Sequence, residues 1–147
     1  MSTPTFIAPP TLSDVAIRGA AMIAAAAEAE APHLTRVAIE SPYSTGSSTG
    51  AKYNQLYGRA ALRDSLLRGE APMASHLLYT QTFVLDEADA TEQALGVAAG
   101  QSWFPLVESI VVYTDRGITP AMQQSIDRAK ALGIPVEERS LPEWQRG

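Results

Sequence analysis

The chain has 147 residues, no cysteine, two histidines and a formal net charge of −5 at pH 7. This length suits one domain that buries its own core, and the lack of cysteine excludes disulfides and thiolate chemistry. The acidic balance argues against nucleic acid or an anionic membrane as partner, and His33 and His76 lack metal-ligand spacing, so neither a metal nor a cofactor is expected.

The amino-terminal part is predicted to be an addition to the fold. Residues Met1–Pro10 hold three prolines and read as an arm, and an alanine-rich helix is predicted over Asp14–Glu30 with Ser13 as its N-cap. Val15, Met22 and Ile23 give this helix an apolar side. Residues 1–34 are therefore expected to precede a domain spanning 35–147. With no membrane-length apolar stretch and no signal-peptide charge pattern, a cytoplasmic location is expected.

The first predicted strand, Arg36–Glu40, is broken by Ser41-Pro42-Tyr43. The loop Ser44–Gly50 that follows contains only serine, threonine and glycine and includes Ser47. Such a loop before a helix can offer hydroxyls and backbone N–H groups to an anion, although it matches no phosphate-loop motif. A purely solvated loop is an equally good interpretation.

The next helix is predicted over Lys52–Arg68. Leu56, Ala60 and Leu67 have helical spacing and are predicted to face the core. Tyr53, Asn54 and Tyr57 are placed near its first turn, close to the mouth of the predicted site.

A second strand is predicted over Met73–Tyr79, with His76 inside it as either a structural or a catalytic histidine. Thr80–Asp89 is a longer connection that can cover a site. Thr91 is predicted to cap a helix ending near Trp103, with Leu95, Ala98 and Ala99 inward and Glu92 in the first turn, where a carboxylate suits the helix dipole.

The last part of the chain predicts a strand, a helix and a strand. Ile110–Tyr113 is the first strand, Thr119 and Pro120 open the helix, and Gly133 ends it before the strand Ile134–Glu138. This βαβ unit makes its strands parallel and its crossover right-handed. Ligands bind at the carboxyl ends of such strands, so the site is expected to include Thr114, Asp115 and Gly117.

These elements predict an α/β fold with a four-stranded parallel sheet in the order 2-1-3-4, helices on both faces, and an extra amino-terminal helix. Neighbouring parallel strands are expected to bring Ser41, His76 and Asp115 to one hollow.

Several segments resemble the small phage and bacterial relatives of nucleoside 2-deoxyribosyltransferases, many of which carry only a domain-of-unknown-function label. The resemblance covers about residues 36–139. It lies in Val37-Ala38-Ile39-Glu40-Ser41-Pro42-Tyr43, Arg68-Gly69-Glu70-Ala71-Pro72, Ser75-His76-Leu77-Leu78-Tyr79, Val112-Tyr113-Thr114-Asp115, Gly117-Ile118-Thr119 with Met122, and Gly133-Ile134-Pro135-Val136.

The resemblance implies a flavodoxin-like, Rossmann-like three-layer sandwich and an oligomer whose subunits complete one another's pockets. It also implies cleavage or transfer at the N-glycosidic bond of a nucleoside or nucleotide. In the characterised enzymes a glutamate early in the helix after the third strand attacks the anomeric carbon, and here that position is Ser125. A serine with no base is a poor nucleophile and cannot balance positive charge.

Three explanations for Ser125 remain. Glu92 or Asp115 can act from another wall, water held by Ser125, Asp115 and His76 can attack, or the site can bind a nucleotide-derived ligand without turnover. The expected catalytic residues are Asp115, Glu92, Ser125 and His76. The expected ligand-binding residues are Ser41, Tyr43, Ser47, Tyr53, Asn54, Tyr57, Thr114, Gly117 and Met122.

Two functions follow as expectations: a nucleoside-processing or nucleotide-processing enzyme, or a silent binding protein on the same fold that senses or sequesters such a ligand. An interaction module that uses the alanine-rich helix and the acidic surface is a third.

Overall fold

A parallel sheet of four strands organises the main part of the chain. The computed structural model describes residues 11–28, 33–43 and 48–144, and the chain divides into two compact units, residues 1–33 and residues 34–147. The first unit contains helix α1, Leu12–Glu28. The predicted arm Met1–Pro10 and the last two residues of the predicted helix lie outside the described residues.

Helix α1 begins earlier than predicted. Thr11 Oγ1 accepts a hydrogen bond from Asp14 N at 3.1 Å, and Asp14 Oδ2 accepts one from Thr11 N at 2.9 Å. This reciprocal pair satisfies two backbone donors of the first turn, so Thr11 and not Ser13 caps the helix. The predicted apolar side chains Val15, Met22 and Ile23 are exposed.

The second unit contains all four strands, and the predicted order 2-1-3-4 is confirmed, with every neighbouring pair parallel. The fold is a Rossmann-like three-layer α/β fold. Its strands are β1 Thr35–Glu40, β2 Glu70–Met73, β3 Ser109–Tyr113 and β4 Val136–Arg139. Its helices are α2 Ser48–Leu67, α3 Ser75–Leu78, α4 Ala90–Gln101 and α5 Pro120–Ala131, with 3₁₀ turns at Phe104–Leu106 and Pro142–Trp144.

Each face of the sheet has its own core. One packs Val37, Ile39 and Val111 against Tyr57 and Ala61 of α2. The other packs the alternate strand positions, Ala38, Ile110 and Val112, against Met122 and Ile126 of α5 and against Phe104. Because strand side chains alternate between faces, the parity of a residue in β1 or β3 tells which helix layer it meets.

The predicted strand Met73–Tyr79 is wrong. The strand begins at Glu70, directly after Gly69 in the left-handed region at φ +81°. Pro72 is tolerated because β2 is an edge strand, where a missing backbone donor does not break a ladder. His76 therefore lies in the short helix α3 and not in a strand.

Two helices present different faces to the core than predicted. Leu56 and Leu67 of α2 are exposed, and the buried positions are Asn54, Tyr57, Gly58, Ala61 and Ser65. In α4, Leu95 and Ala98 are exposed and Gly100 is buried. In α2 the large side chain of Tyr57 packs in the core, and the predicted core residue Ala60 is half-buried against it. In α4, Ala99 is half-buried. The leucines of both helices therefore point to the wrong side.

The first residues of α2 and α4 also differ from those predicted. Helix α2 begins at Ser48, so Tyr53, Asn54 and Tyr57 lie beyond its first turn. Asp89, not Thr91, caps α4, since its side chain accepts from Thr91 N and Glu92 N. The caps of α5 are as predicted: Thr119 accepts from Met122 N, Pro120 is the first residue, and Gly133 has φ +71°.

Candidate functional site

A cavity of about 170 Å³ lies where β1 ends. Its walls come from β1, α3, α4, the loop before α4, and the amino-terminal half of α5. From β1 the chain continues to β2 on one side, and from β3 it continues to β4 on the other side. The carboxyl ends of β1 and β3 therefore flank the switch point of the sheet, where α/β folds bind ligands.

Glu40 is the cavity's most distinctive group. It is the last residue of β1 and shares a sheet face with buried Ala38, which directs it toward α5. The Ser125 hydroxyl lines the same cavity. Burial raises the pKa of Glu40 to about 7, although the nearby Ser125 hydroxyl opposes the rise. Glu40 can therefore give or take a proton near neutral pH.

Ser41 and His76 form a second polar pair in the same cavity. Ser41 Oγ lies 2.7 Å from His76 Nε2, within hydrogen-bonding distance. Burial lowers the pKa of His76 to about 4, so its ring is neutral at physiological pH. A Cβ added at Gly58 would lie 3.2 Å from Ser41 Oγ, so this glycine of α2 leaves room for the pair.

Five of the predicted site residues line this cavity: Ser41, Tyr43, His76, Met122 and Ser125. Met122 is buried, and its backbone N–H also donates to the cap Thr119. Ser47 lies outside the described residues.

Asp115 is not among the cavity's lining residues. Its carboxylate accepts hydrogen bonds from Tyr57 OH at 2.6 Å, from Ser140 Oγ, and from Leu141 N at 2.8 Å. Asp115 thereby joins α2 to the residues after β3 and β4. Thr114 and Gly117 also lie outside the cavity lining; the hydroxyl of Thr114 bonds to Arg139 O, and Gly117 has φ +86°.

The three predicted ligand-binding residues of α2 are also outside the cavity. Tyr57 is fully buried, and its side chain belongs to the core between α2 and the sheet. Asn54 Oδ1 accepts from Arg116 Nε at 2.7 Å, and the Arg116 guanidinium lies 5.8 Å from the centre of the Tyr53 ring. These side chains connect α2 to the loop after β3.

Glu92 also has a structural partner. Its Oε2 accepts from Asp86 N, in the loop that leads into α4. That loop brings Glu87 to the cavity wall, and burial raises the pKa of this carboxyl. Glu40 and Glu87 are the cavity's two acidic side chains, and no lysine or arginine lines it within the described part of the chain.

A larger, more polar cleft of about 530 Å³ adjoins the cavity. Tyr43 and Thr80 line both spaces, and Gln55 and Arg59 of α2 line only the cleft. The cavity alone is smaller than the roughly 300–1,000 Å³ usual for organic ligands. A ligand too large for the cavity can extend past Tyr43 and Thr80 into the cleft.

Two cavity residues, Glu40 and Glu87, are not among the site residues predicted from the sequence. Glu40 had a detectable signal, because alternation places it on the same face as Ala38 at the carboxyl end of a strand. Glu87 had none, since its position depends on how the loop folds onto α4.

Within the residues described, no group of three or more His, Asp or Glu side chains could hold a metal ion. No helix of that part of the chain is long and apolar enough to cross a membrane.

One known family matches the chain over residues 35–139. The matched segment runs from the first residue of β1 to the last of β4, and includes every residue that lines the cavity. No curated protein matches the sequence at a significant level. The match is consistent with the expected branch that carries only a domain-of-unknown-function label. The chain belongs to the family described as a domain of unknown function, DUF7768.

Proposed function

We propose that the protein cleaves or transfers at the N-glycosidic bond of a nucleoside or nucleotide, with Glu40 as the acid that protonates the departing base. The observation that carries this proposal is a glutamate of pKa about 7 lining a cavity at the switch point of the sheet. Ser125, at the position where the resembled transferases have their catalytic glutamate, lines the same cavity and lowers the pKa of Glu40.

The chemistry of this bond suits such an acid. When the bond between the anomeric carbon and the base nitrogen breaks, its electron pair goes to the nitrogen. A proton delivered to the base makes it a better leaving group, and the sugar becomes oxocarbenium-like. Glu40 is protonated below about pH 7 and holds the proton inside the cavity. Water or an acceptor base then attacks the sugar carbon.

The neighbouring groups support a binding role around this acid. At neutral pH the His76 ring is uncharged, so it contributes hydrogen bonds and no positive charge. Ser41, Tyr43 and Ser125 offer hydroxyls of the kind that bind sugars. The adjoining cleft has room for the part of a nucleoside that the cavity leaves outside.

The test is release of free base from a panel of nucleosides and nucleotides, followed by chromatography against a boiled control. Activity is expected to fall as pH rises through about 7, because the raised pKa of Glu40 means that the proton is lost there. Glu40→Gln is expected to slow release by about 10²–10⁴-fold.

The matched control is Glu138→Gln, an exposed glutamate of β4 that is remote from the cavity lining. It is expected to keep the wild-type rate. A folded Glu40→Gln protein with unchanged rate and unchanged pH profile would contradict the role of Glu40.

The second candidate is a binding protein that holds a nucleotide-derived ligand without turnover. The observation that favours it is Ser125, since a hydroxyl cannot replace an attacking carboxylate. For this candidate the same panel would yield no free base, and the ligand would be recovered intact after denaturation.

A further inference from the structure

An acid such as Glu40 does not by itself stabilise the positive charge that develops on the sugar. The inference of a second catalytic group that does so rests on the proposed function. A sugar carbon that becomes positively charged needs an anionic group close to it. Ser125 has no charge, and Asp115 and Glu92 make hydrogen bonds outside the cavity. Of the acidic side chains that line the cavity, Glu87 is the one that remains.

The loop that carries Glu87 is held by several hydrogen bonds. Glu92 Oε2 accepts from Asp86 N, Gln93 Nε2 donates to Glu87 O, and Asp86 Oδ1 accepts from Ala88 N at 2.9 Å. Asp89 then caps α4 through Thr91 N at 2.8 Å. These bonds fix the backbone on both sides of Glu87, whose carboxylate makes no hydrogen bond or ion pair with the described residues. A fixed backbone with an uncommitted carboxylate is the arrangement that a reacting group requires.

The two cavity carboxyls stand on different walls, one at the end of β1 and one in the loop before α4. Burial raises the pKa of each. Because both line one cavity, a ligand bound there can contact both, and glycosidases likewise hold their substrate between two carboxyl groups. Glu40 has the pKa of an acid at neutral pH, which leaves the anionic role to its counterpart.

We propose that Glu87 is the second catalytic carboxylate of this site and bonds to the anomeric carbon of the sugar. As the carbon–nitrogen bond breaks, a Glu87 oxygen forms a bond to the carbon, and the departing base takes the electron pair and the Glu40 proton. In the second step, the oxygen of water or the nitrogen of an acceptor base attacks the carbon and gives its proton to Glu40. Glu87 leaves as a carboxylate, and the sugar keeps its original configuration.

The first measurement is trapping of the intermediate. A 2-deoxy-2-fluoroarabinosyl nucleoside slows the second step because fluorine disfavours the oxocarbenium-like state. Incubation of the full chain with this probe, digestion and mass spectrometry should place the sugar on the peptide that contains Glu87. An adduct on Glu40, Asp115 or Glu92 would overturn the assignment.

The second measurement uses Glu87→Gln and Glu87→Ala. Release of base is expected to fall by about 10²–10³-fold in both variants. Azide should restore turnover only in Glu87→Ala, where it fills the space of the carboxylate and gives a glycosyl azide of inverted configuration. Glu143→Gln, an exposed glutamate outside the cavity lining, is the control and should behave as wild type.

The outcomes separate this inference from the proposed function. If the wild-type protein releases base and folded Glu87→Gln is equally fast, Glu87 is not the carboxylate and the proposed function survives. If the wild-type protein releases no base from any member of the panel, the proposed function fails, and the role of Glu87 fails with it.

Discussion

Single carboxylates in this protein have different roles because of their surroundings. Glu40 lines a cavity and has its pKa raised by burial to about 7. Asp115 also follows a strand, but its two oxygens accept from Tyr57, Ser140 and Leu141. Its bonds to α2 and to the chain after β4 give Asp115 a structural role.

Asp115→Asn tests that role. The asparagine amide has one oxygen, which is a weaker acceptor than a carboxylate oxygen. Its NH₂ group would replace the other oxygen and would face a hydrogen-bond donor, Ser140 Oγ or the pair Tyr57 OH and Leu141 N. A loss of about 1–3 kcal/mol in the free energy of unfolding is expected, with base release unchanged wherever the variant is folded. Urea denaturation and the release assay are the measurements. Asp127→Asn, on the exposed side of α5, is the control and should stay within about 0.5 kcal/mol of wild type.

At the scale of elements, the short helix α3 brings His76 into the cavity, and its position depends on α4. Gly100 of α4 lies against Ser75, the first residue of α3. A Cβ added at Gly100 would lie 2.9 Å from Ser75 Cβ and would also overlap Ser75 Oγ. The glycine therefore sets how closely the two helices approach.

Gly100→Ala is expected to destabilise the protein by about 1–3 kcal/mol, because the added methyl group overpacks the contact between α3 and α4. Thermal or urea unfolding measures this change. Gly19→Ala provides the matched control, since nothing lies within 4 Å of a Cβ added there. That change should be neutral or stabilising by up to about 1 kcal/mol. Equal effects of the two substitutions would contradict the proposed contact.

At the scale of the whole fold, a charged network connects the two edge strands. The Arg139 guanidinium of β4 forms two hydrogen bonds to the Glu70 carboxylate of β2, including one of 2.8 Å from Nη1 to Oε2. Glu137 and the Tyr113 hydroxyl also accept from Arg139. The Arg139 and Glu70 side chains are 7% and 14% exposed, so the pair is well shielded from water.

The network predicts loss of stability in acid. Hydrogen bonding to Arg139 holds the pKa of Glu70 below its ordinary value. A lowered folded-state pKa gives stability that is complete above the unfolded value of about 4.3 and is lost as pH falls through the folded value. Glu70→Gln should therefore cost about 1.5–3 kcal/mol at pH 7, because Arg139 then keeps only the half-exposed Glu137 as a charged partner. The difference from wild type should shrink below about pH 4.

Urea unfolding from pH 7 down to pH 3 checks this expectation. Glu138→Gln on the same strand β4 is exposed and should show little difference at any pH. A Glu70→Gln deficit that stays constant over the whole range would contradict the linkage.

The sequence by itself determined the class of fold, the strand order and the βαβ unit around α5. These features follow from local signals: β-branched strands, the Thr119 and Pro120 start, the Gly133 end, and the handedness of parallel crossovers. It also named Ser41, Tyr43, His76, Met122 and Ser125, all of which line the cavity. Ser125 and Met122 came from the resemblance to the transferases, and Ser41 from its position directly after the first predicted strand.

Only the tertiary structure decided which carboxylates meet in the cavity and which residues of α2 and α4 are buried. Strand parity turned Glu40 toward Ser125, and the fold of one loop brought Glu87 to the cavity wall. Asp115 became part of the framework because Tyr57 lies within hydrogen-bonding distance. The pKa of a carboxyl and the partners that it binds depend on groups distant in sequence, and no local pattern encodes how those groups are arranged in space.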